Sequence, residues 1–357
     1  MNQKKGIGLG YFNLARGLGM VLIVFGHTMN LYLTDASART ELFSGAGSVL
    51  GGGIMAAFFM ISGFSFYKRS FKKCFTIQSK LLLRPYYWVA AAVLVTKLVL
   101  AIIEKRSFWE HGGELILTYL FGLNAEGGGD ILGIPVESVS IFWFILALFV
   151  GWILYNEIAS LRSERLRACW VLGCIIAGYG LTLISKIWLY CLPMGLMAVG
   201  YLAAGKFMKK HDLLEKKLAW KWWVLILAVV CFSATFGEVN IVACIWKCGL
   251  LDVAGSFCAG FLILRLYALL MRRAPQGKVM NGLEEIGFQS IWVVCFHAYE
   301  KIIFPWYRIA GALRSHPWLG VTLCFLGRCV VMYLMYKILF WCIAKMKKRK
   351  IQGVWNG

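Results

Sequence analysis

The sequence carries no metal-binding motif: no pair of histidines flanks a glutamate at helical spacing, and no carboxylates cluster at ligand spacing. Its 12 cysteines lie mostly inside apolar runs. Cys244 and Cys248 stand four apart with no second pair beside them, so cysteine reads here as a small buried hydrophobe. Acidic residues are scarce, 17 against 38 lysines and arginines, which leaves a formal net charge of +21. In a soluble protein that excess points to nucleic acid. Here the cations sit in short clusters between apolar runs, which is the cytoplasmic bias of Lys and Arg in membrane loops, and no nucleic-acid partner is expected. No internal repeat or low-complexity stretch is seen, and neither an appended soluble domain nor a cleavable leader is expected, since the charged start runs into a long apolar stretch with no small-residue cleavage site.

What the chain has instead is hydrophobicity along its whole length. It is 60% hydrophobic, with a mean hydropathy of +0.70. That composition implies an all-α polytopic membrane protein. Hydropathy and the Lys/Arg clusters predict ten transmembrane helices with both termini cytoplasmic, residues 1–345 forming the membrane domain and 346–357 a basic tail. The predicted spans are about Phe12–Leu33, Val49–Tyr67, Leu83–Ile103, Ile141–Ile158, Ala168–Ile184, Ile187–Phe207, Trp222–Gly237, Leu251–Met271, Ile286–Phe304 and Trp318–Ala344. Lys4 and Lys5, Lys68–Arg84, Arg162–Arg167, Lys206–Lys221, Arg272, Arg273 and Lys278, and the tail then lie inside. The loop around Asp35, Arg39 and Glu41, the turn at Ser185-Lys186 and the segment Glu104–Ser140 lie outside. Leu115–Leu123 is too short to cross, and a crossing there would put Glu126, Asp130 and Glu137 inside against the charge bias; it is expected to lie on the membrane or dip into it.

The first span holds two residues that hydrocarbon does not favour, Arg16 and His27. They are eleven residues apart, just over three turns, so their side chains leave nearly the same face about 16 Å apart along the axis. The second span ends in Phe58-Phe59-Met60-Ile61-Ser62-Gly63-Phe64. A basic run then leads into Lys80-Leu81-Leu82-Leu83-Arg84-Pro85-Tyr86-Tyr87. Trp143-Phe144 opens the fourth span, and Phe296-His297 falls late in the chain.

Taken together and in this order, these patterns resemble the acyltransferase-3 family of integral membrane acyltransferases, over essentially the whole chain. The resemblance implies transfer of an acyl group, commonly acetyl, from cytoplasmic acyl-coenzyme A to a hydroxyl of a cell-envelope carbohydrate or its lipid-linked precursor, at a cell membrane, with the bacterial cytoplasmic membrane expected. Acyl-coenzyme A enters as co-substrate and no metal is expected. Two other classes stand beside this one: a transporter or flippase of an envelope precursor, and a non-catalytic membrane sensor of the same fold.

Each candidate residue has a bland reading beside the functional one. His27 suits a general base for the acceptor hydroxyl, since neutral imidazole accepts a proton near neutral pH; otherwise it is a polar core histidine bonded to a neighbouring helix. Arg16 and Arg84, with Lys80 one turn before Arg84, suit the phosphates of coenzyme A; snorkelling anchors explain them equally in kind. Ser62 and Gly63 offer a close passage for the pantetheine arm, or simply let helices pack. Trp143 suits stacking on a sugar, or an aromatic belt. Glu137 suits sugar hydroxyls, or is merely solvated. His297 and Glu300, at i and i+3, share a face and form a second acid–base or acceptor-orienting site, or Glu300 is ion-paired with Arg328.

Overall fold

The computed structural model describes residues 9–32, 45–105, 108–124, 129–131, 133–185, 187–243, 245–271 and 277–354. The sequence expectations for Lys4, Lys5, Asp35, Arg39, Glu41, Glu126, Lys186, Arg272 and Arg273 lie outside the described residues.

The chain is helical almost throughout. In order, the helices are α1 (Asn13–Met29), α2 (Gly45–Phe64), α3 (Phe71–Gln78), α4 (Arg84–Ile103), α5 (Phe108–Phe121), α6 (Trp143–Ile158), α7 (Glu164–Ile184) and α8 (Leu192–Lys210). They continue with α9 (Trp220–Phe236), α10 (Leu250–Met271), α11 (Lys278–Phe288), α12 (Ser290–Ile303), α13 (Trp306–Ala312) and α14 (Pro317–Val354). Among the described residues, two short antiparallel hairpins interrupt the all-α pattern: β1 (Gly129–Ile131) with β2 (Ile134–Val136), and β3 (Val239–Asn240) with β4 (Ile245–Trp246). The second hairpin accounts for the apolar connection between the seventh and eighth predicted spans.

Local sequence places the ends. Pro85 and Pro193 stand in the first turns of α4 and α8, where a missing N–H costs nothing. Ser163 caps α7 by accepting from the Leu166 amide at 3.3 Å. Phe304 is extended ahead of Pro305, which stops α12. A π-helical stretch, Ser79–Leu83, joins α3 to α4, so the basic loop of the sequence reading is helical from Phe71 onward. α14 continues to Val354, so residues 346–354 of the basic tail extend that helix.

Among the described residues, seven stretches are long and apolar enough to cross a membrane: those built on α2, α3–α4, α6, α7, α8, α10 and α14. The ninth predicted span, Ile286–Phe304, is essentially α12; its first three residues end α11, an amphipathic helix that lays one face on α1 and stops at Gln289. α1, α9 and α12 have 17, 17 and 14 residues, short of the roughly 20 that a straight crossing needs. α5 is also short and packs along α4, with Leu115 and Tyr119 turned inward and Ile116 and Leu120 outward.

α2 and α8 form the centre. α2 packs on α8, α9 and α10, and α8 on α2, α6 and α7. α6 is buried along most of its length, whereas α7 and α14 expose most of theirs. The large apolar side chains on those outer faces, such as Trp170, Leu183, Leu323 and Trp341, are the surface that lipid covers. Between helices in lipid there is little hydrophobic drive, so contact depends on close packing. A methyl on Gly63 would fall 2.1 Å from the Leu202 carbonyl oxygen, and one on Gly205 would fall 1.9 Å from that of Met60. α2 and α8 therefore touch backbone to backbone at this crossing. Farther along, Tyr201 stacks between Phe59 and Phe257, its ring centroid 5.8 Å and 4.1 Å from theirs, and shares a hydrogen bond with Ser256 at 2.6 Å.

One buried carboxylate pins the second hairpin. Asp252, fully enclosed, accepts from the Ser233 hydroxyl at 2.7 Å, the Glu238 amide at 3.1 Å and the Cys248 amide at 2.8 Å. It ties α9, the hairpin and the first turn of α10 into one unit.

Candidate active site

α1 is held on two sides. At one end, the Tyr11 carbonyl accepts from the Tyr267 hydroxyl of α10 at 2.6 Å, and Phe12 packs edge-on against Phe64 of α2. Along its length it lies against α11, with further contacts to α12 and α14. This seating turns His27 toward α12. Its ring centroid lies 5.3 Å from that of His297.

His297 is completely buried, and its Nδ1 is 2.5 Å from Oε1 of Glu300, one turn on along α12. The second carboxylate oxygen accepts from the Trp306 indole N–H. It also faces Nε of Arg328 on α14 at 3.8 Å. The Arg328 guanidinium rides over the Trp306 ring, 5.5 Å from its centroid. Glu300 thus bridges the two side chains: one oxygen serves the histidine, the other the arginine. A carboxylate on Nδ1 fixes the ring orientation and favours the tautomer whose Nε2 is an acceptor. That Nε2 is buried with no hydrogen-bond partner among the described residues.

Beside this group opens a pocket of about 370 Å³, within the size range of small-molecule sites. His27 and Arg328 are in its wall together with Asn30, Lys301, Trp306 and Tyr307. His27 thus meets the pocket directly, while His297 and Glu300 stand behind it. An imidazole open to a cavity, backed by a second imidazole and its carboxylate, can take a proton from a bound hydroxyl and return it to a leaving group. Trp306, Lys301 and Arg314 were not among the sequence candidates. Their signal was faint: an aromatic pair after Pro305, and cations spread along a stretch with no acid.

The donor-side candidates lie elsewhere. Arg16 is half-buried in the first turn of α1, where its Nη2 donates to Oδ1 of Asn13 at 2.5 Å. Arg84 and Lys80 are exposed where the π-helical stretch meets α4. α12 stands between α1 and α4 and packs on both. Ser62 is half-buried, and the open side of Gly63 is filled by the Leu202 carbonyl. Trp143 is 3% exposed, packed among Phe59 and Phe144 inside the bundle and not in a surface belt. Glu137 is ion-paired with Lys97 of α4, and its amide donates to Thr118 at 3.1 Å. No group of three or more potential metal ligands occurs among the described residues.

A family model described as an acyltransferase domain matches residues 9–337, so the match takes in every element around the pocket. Comparison with curated proteins and with solved structures returns no match. With nearly the whole chain covered, and with seven helical stretches among the described residues long and apolar enough to cross a bilayer, the chain belongs to the acyltransferase-3 family and is a multi-pass membrane acyltransferase.

Proposed function

We propose that this protein is an O-acyltransferase that moves an acyl group, commonly acetyl in the family, from cytoplasmic acyl-coenzyme A to a hydroxyl of a cell-envelope carbohydrate or its lipid-linked precursor. The observation that supports it is His27 in the wall of a pocket, backed by the His297–Glu300 pair. His27 takes the proton of the acceptor hydroxyl as its oxygen attacks the thioester carbonyl. The tetrahedral intermediate then collapses, the carbon–sulfur bond breaks, and the imidazolium returns its proton to the departing coenzyme A thiolate. His297, oriented by Glu300, supports the charge that builds on His27. Arg16 and Arg84 hold the phosphates of the donor, and its pantetheine arm covers the span to His27.

This chemistry sets an orientation. With α1, α9 and α12 crossing alongside the seven longer stretches, the chain has ten spans and cytoplasmic termini, in keeping with its basic clusters. The pocket then belongs to the outer half of a bacterial cytoplasmic membrane, and the donor reaches it from within. Purified protein with radiolabelled acetyl-coenzyme A tests the proposal. Loss of a general base costs roughly 10²–10⁴ in rate, so His27→Ala should bind coenzyme A, keep its fold and lose turnover. His27→Gln should not recover it, since an amide cannot take the proton. Wild-type turnover by His27→Gln overturns the assignment.

A further inference from the structure

We propose that the acceptor is anionic, carrying a carboxylate or phosphate beside the hydroxyl that is acylated, and that Arg314 and Arg328 recognise it. The inference rests on the acyltransferase reading and names the substrate class of that pocket.

The pocket wall holds three formal cations, Lys301, Arg314 and Arg328, and no carboxylate. Glu300 stands behind it with both oxygens engaged. The imbalance runs through the sequence: from Lys301 to Arg328 there are four lysines or arginines and no aspartate or glutamate. On the proposed orientation the link between the two spans, with Arg308 and Arg314, faces outward, where the Lys/Arg bias of membrane loops runs the other way, and Lys301 and Arg328 lie within the flanking helices. Topology therefore does not explain these cations, as it does the clusters on the opposite side.

Arg328 adds an independent observation. It is 1% exposed, yet its Nη1 makes no hydrogen bond among the described residues. Its nearest carboxylate oxygen, on Glu300, is 3.8 Å from Nε, beyond hydrogen-bonding range. A buried guanidinium with N–H groups to spare, in the wall of a cavity, is built to receive an acceptor oxygen. Arg314 is exposed at the same pocket and forms no ion pair among the described residues. Phe304 and Tyr307, also in the wall, give a sugar ring apolar faces to lie against.

The test measures binding, so that it does not depend on turnover. Wild-type protein in phosphatidylcholine nanodiscs is titrated with D-glucuronate, glucose 1-phosphate and D-glucose. At least one of the two anions should bind tenfold or more tightly than glucose, and which one does separates a uronate from a phosphorylated acceptor. Arg314→Glu should abolish that preference, and Arg314→Lys should keep most of it, because a charge-assisted hydrogen bond is worth roughly tenfold or more in affinity. Arg328→Gln is the second variant, with Arg314→Glu, at an exposed position, covering any loss of fold. Equal binding of the three sugars, no binding of either anion, or an unchanged preference in Arg314→Glu overturns the proposal. So does a preference that vanishes in phosphatidylglycerol nanodiscs, which would assign the cations to lipid headgroups. Weaker coenzyme A binding by Arg314→Glu also overturns it, since the cations would then serve the donor. An anion preference without any acetyl-coenzyme A turnover would instead sink the acyltransferase reading and leave the anion site standing.

Discussion

Gly17 and Gly287 meet backbone to backbone where α1 crosses α11. A methyl built on Gly287 would lie 1.7 Å from the Asn13 carbonyl oxygen and 2.7 Å from the Gly17 nitrogen; one built on Gly17 would lie 1.9 Å from the Leu283 carbonyl oxygen. Neither obstacle is a side chain that can swing away. The crossing therefore fixes both the height and the rotation of α1, and with them the direction in which Arg16 and His27 point.

Gly287→Ala should consequently disturb the site from a distance. Overpacking of this kind costs about 1–3 kcal/mol. The expected result is a lower thermal midpoint in detergent together with reduced turnover, whereas Gly282→Ala, on the same helix with open space around it, should change neither. Equal behaviour of the two variants would show that the crossing is looser than described.

Trp306→Phe removes the indole N–H that Glu300 accepts while keeping an aromatic ring beneath Arg328. Losing one buried hydrogen bond to a charged group costs about 1.5–3 kcal/mol. Turnover should fall by about tenfold or more with coenzyme A affinity unchanged. Glu300→Gln, which can no longer hold the His297 tautomer by charge, should fall further. Single-turnover kinetics and coenzyme A titration together check the order; an unaffected rate in both variants would reduce this cluster to a structural role.

Arg16→Ala and Arg84→Ala should each weaken coenzyme A binding by roughly 10- to 150-fold, the worth of a charge-assisted phosphate contact. Lys72→Ala, exposed on α3, is the comparison and should do much less. Isothermal titration with coenzyme A decides it. Unchanged affinity in both arginine variants would move the donor site elsewhere.

Asp252→Ala should destabilise without touching chemistry directly. It strands a hydroxyl and two amides that are satisfied by one carboxylate, at about 1–3 kcal/mol for each buried group. Aggregation on heating should begin well below the wild-type temperature, and Asp252→Asn, which keeps one acceptor oxygen, should fall between. A wild-type melting profile for Asp252→Ala would remove the hairpin latch from the account.

Much of the frame was legible because membrane helices announce themselves by composition alone. Among the described residues seven of the predicted spans return as long apolar helices, five with both ends within a few residues, while the third starts earlier, at Phe71, and the tenth runs on to Val354. The first, seventh and ninth return as helices of 17, 17 and 14 residues, and the amphipathic helix Lys278–Phe288 ahead of the ninth, seated on α1, was not foreseen. At the site, His27, His297, Glu300 and Arg328 stood out because charge and imidazole are rare in apolar runs. The Glu300–Arg328 pair was one of the readings, but that His27 joins it could not be read, since α1 is far from α12 and α14 in the chain and periodicity says nothing about which helices touch. Trp306 was invisible among 15 tryptophans: its importance lies in one N–H, and sequence does not show where an N–H points. Glu137 showed the converse, a residue visible from its charge whose partner, Lys97, lay unremarked forty positions earlier in the third span.

Arg16 and His27 ride on one unbroken helix that is locked at its crossing with α11. On the proposed chemistry, a carrier whose phosphates rest at Arg16 offers its thioester carbon at a single height. α1 then works as a gauge for the carrier arm and is blind to whatever follows the carbonyl. A longer acyl tail changes nothing between the two residues; it projects past His27 into the space beyond. Discrimination among acyl groups therefore resides in the walls around His27, so residues there should shift chain-length preference while leaving the grip on the carrier as it was.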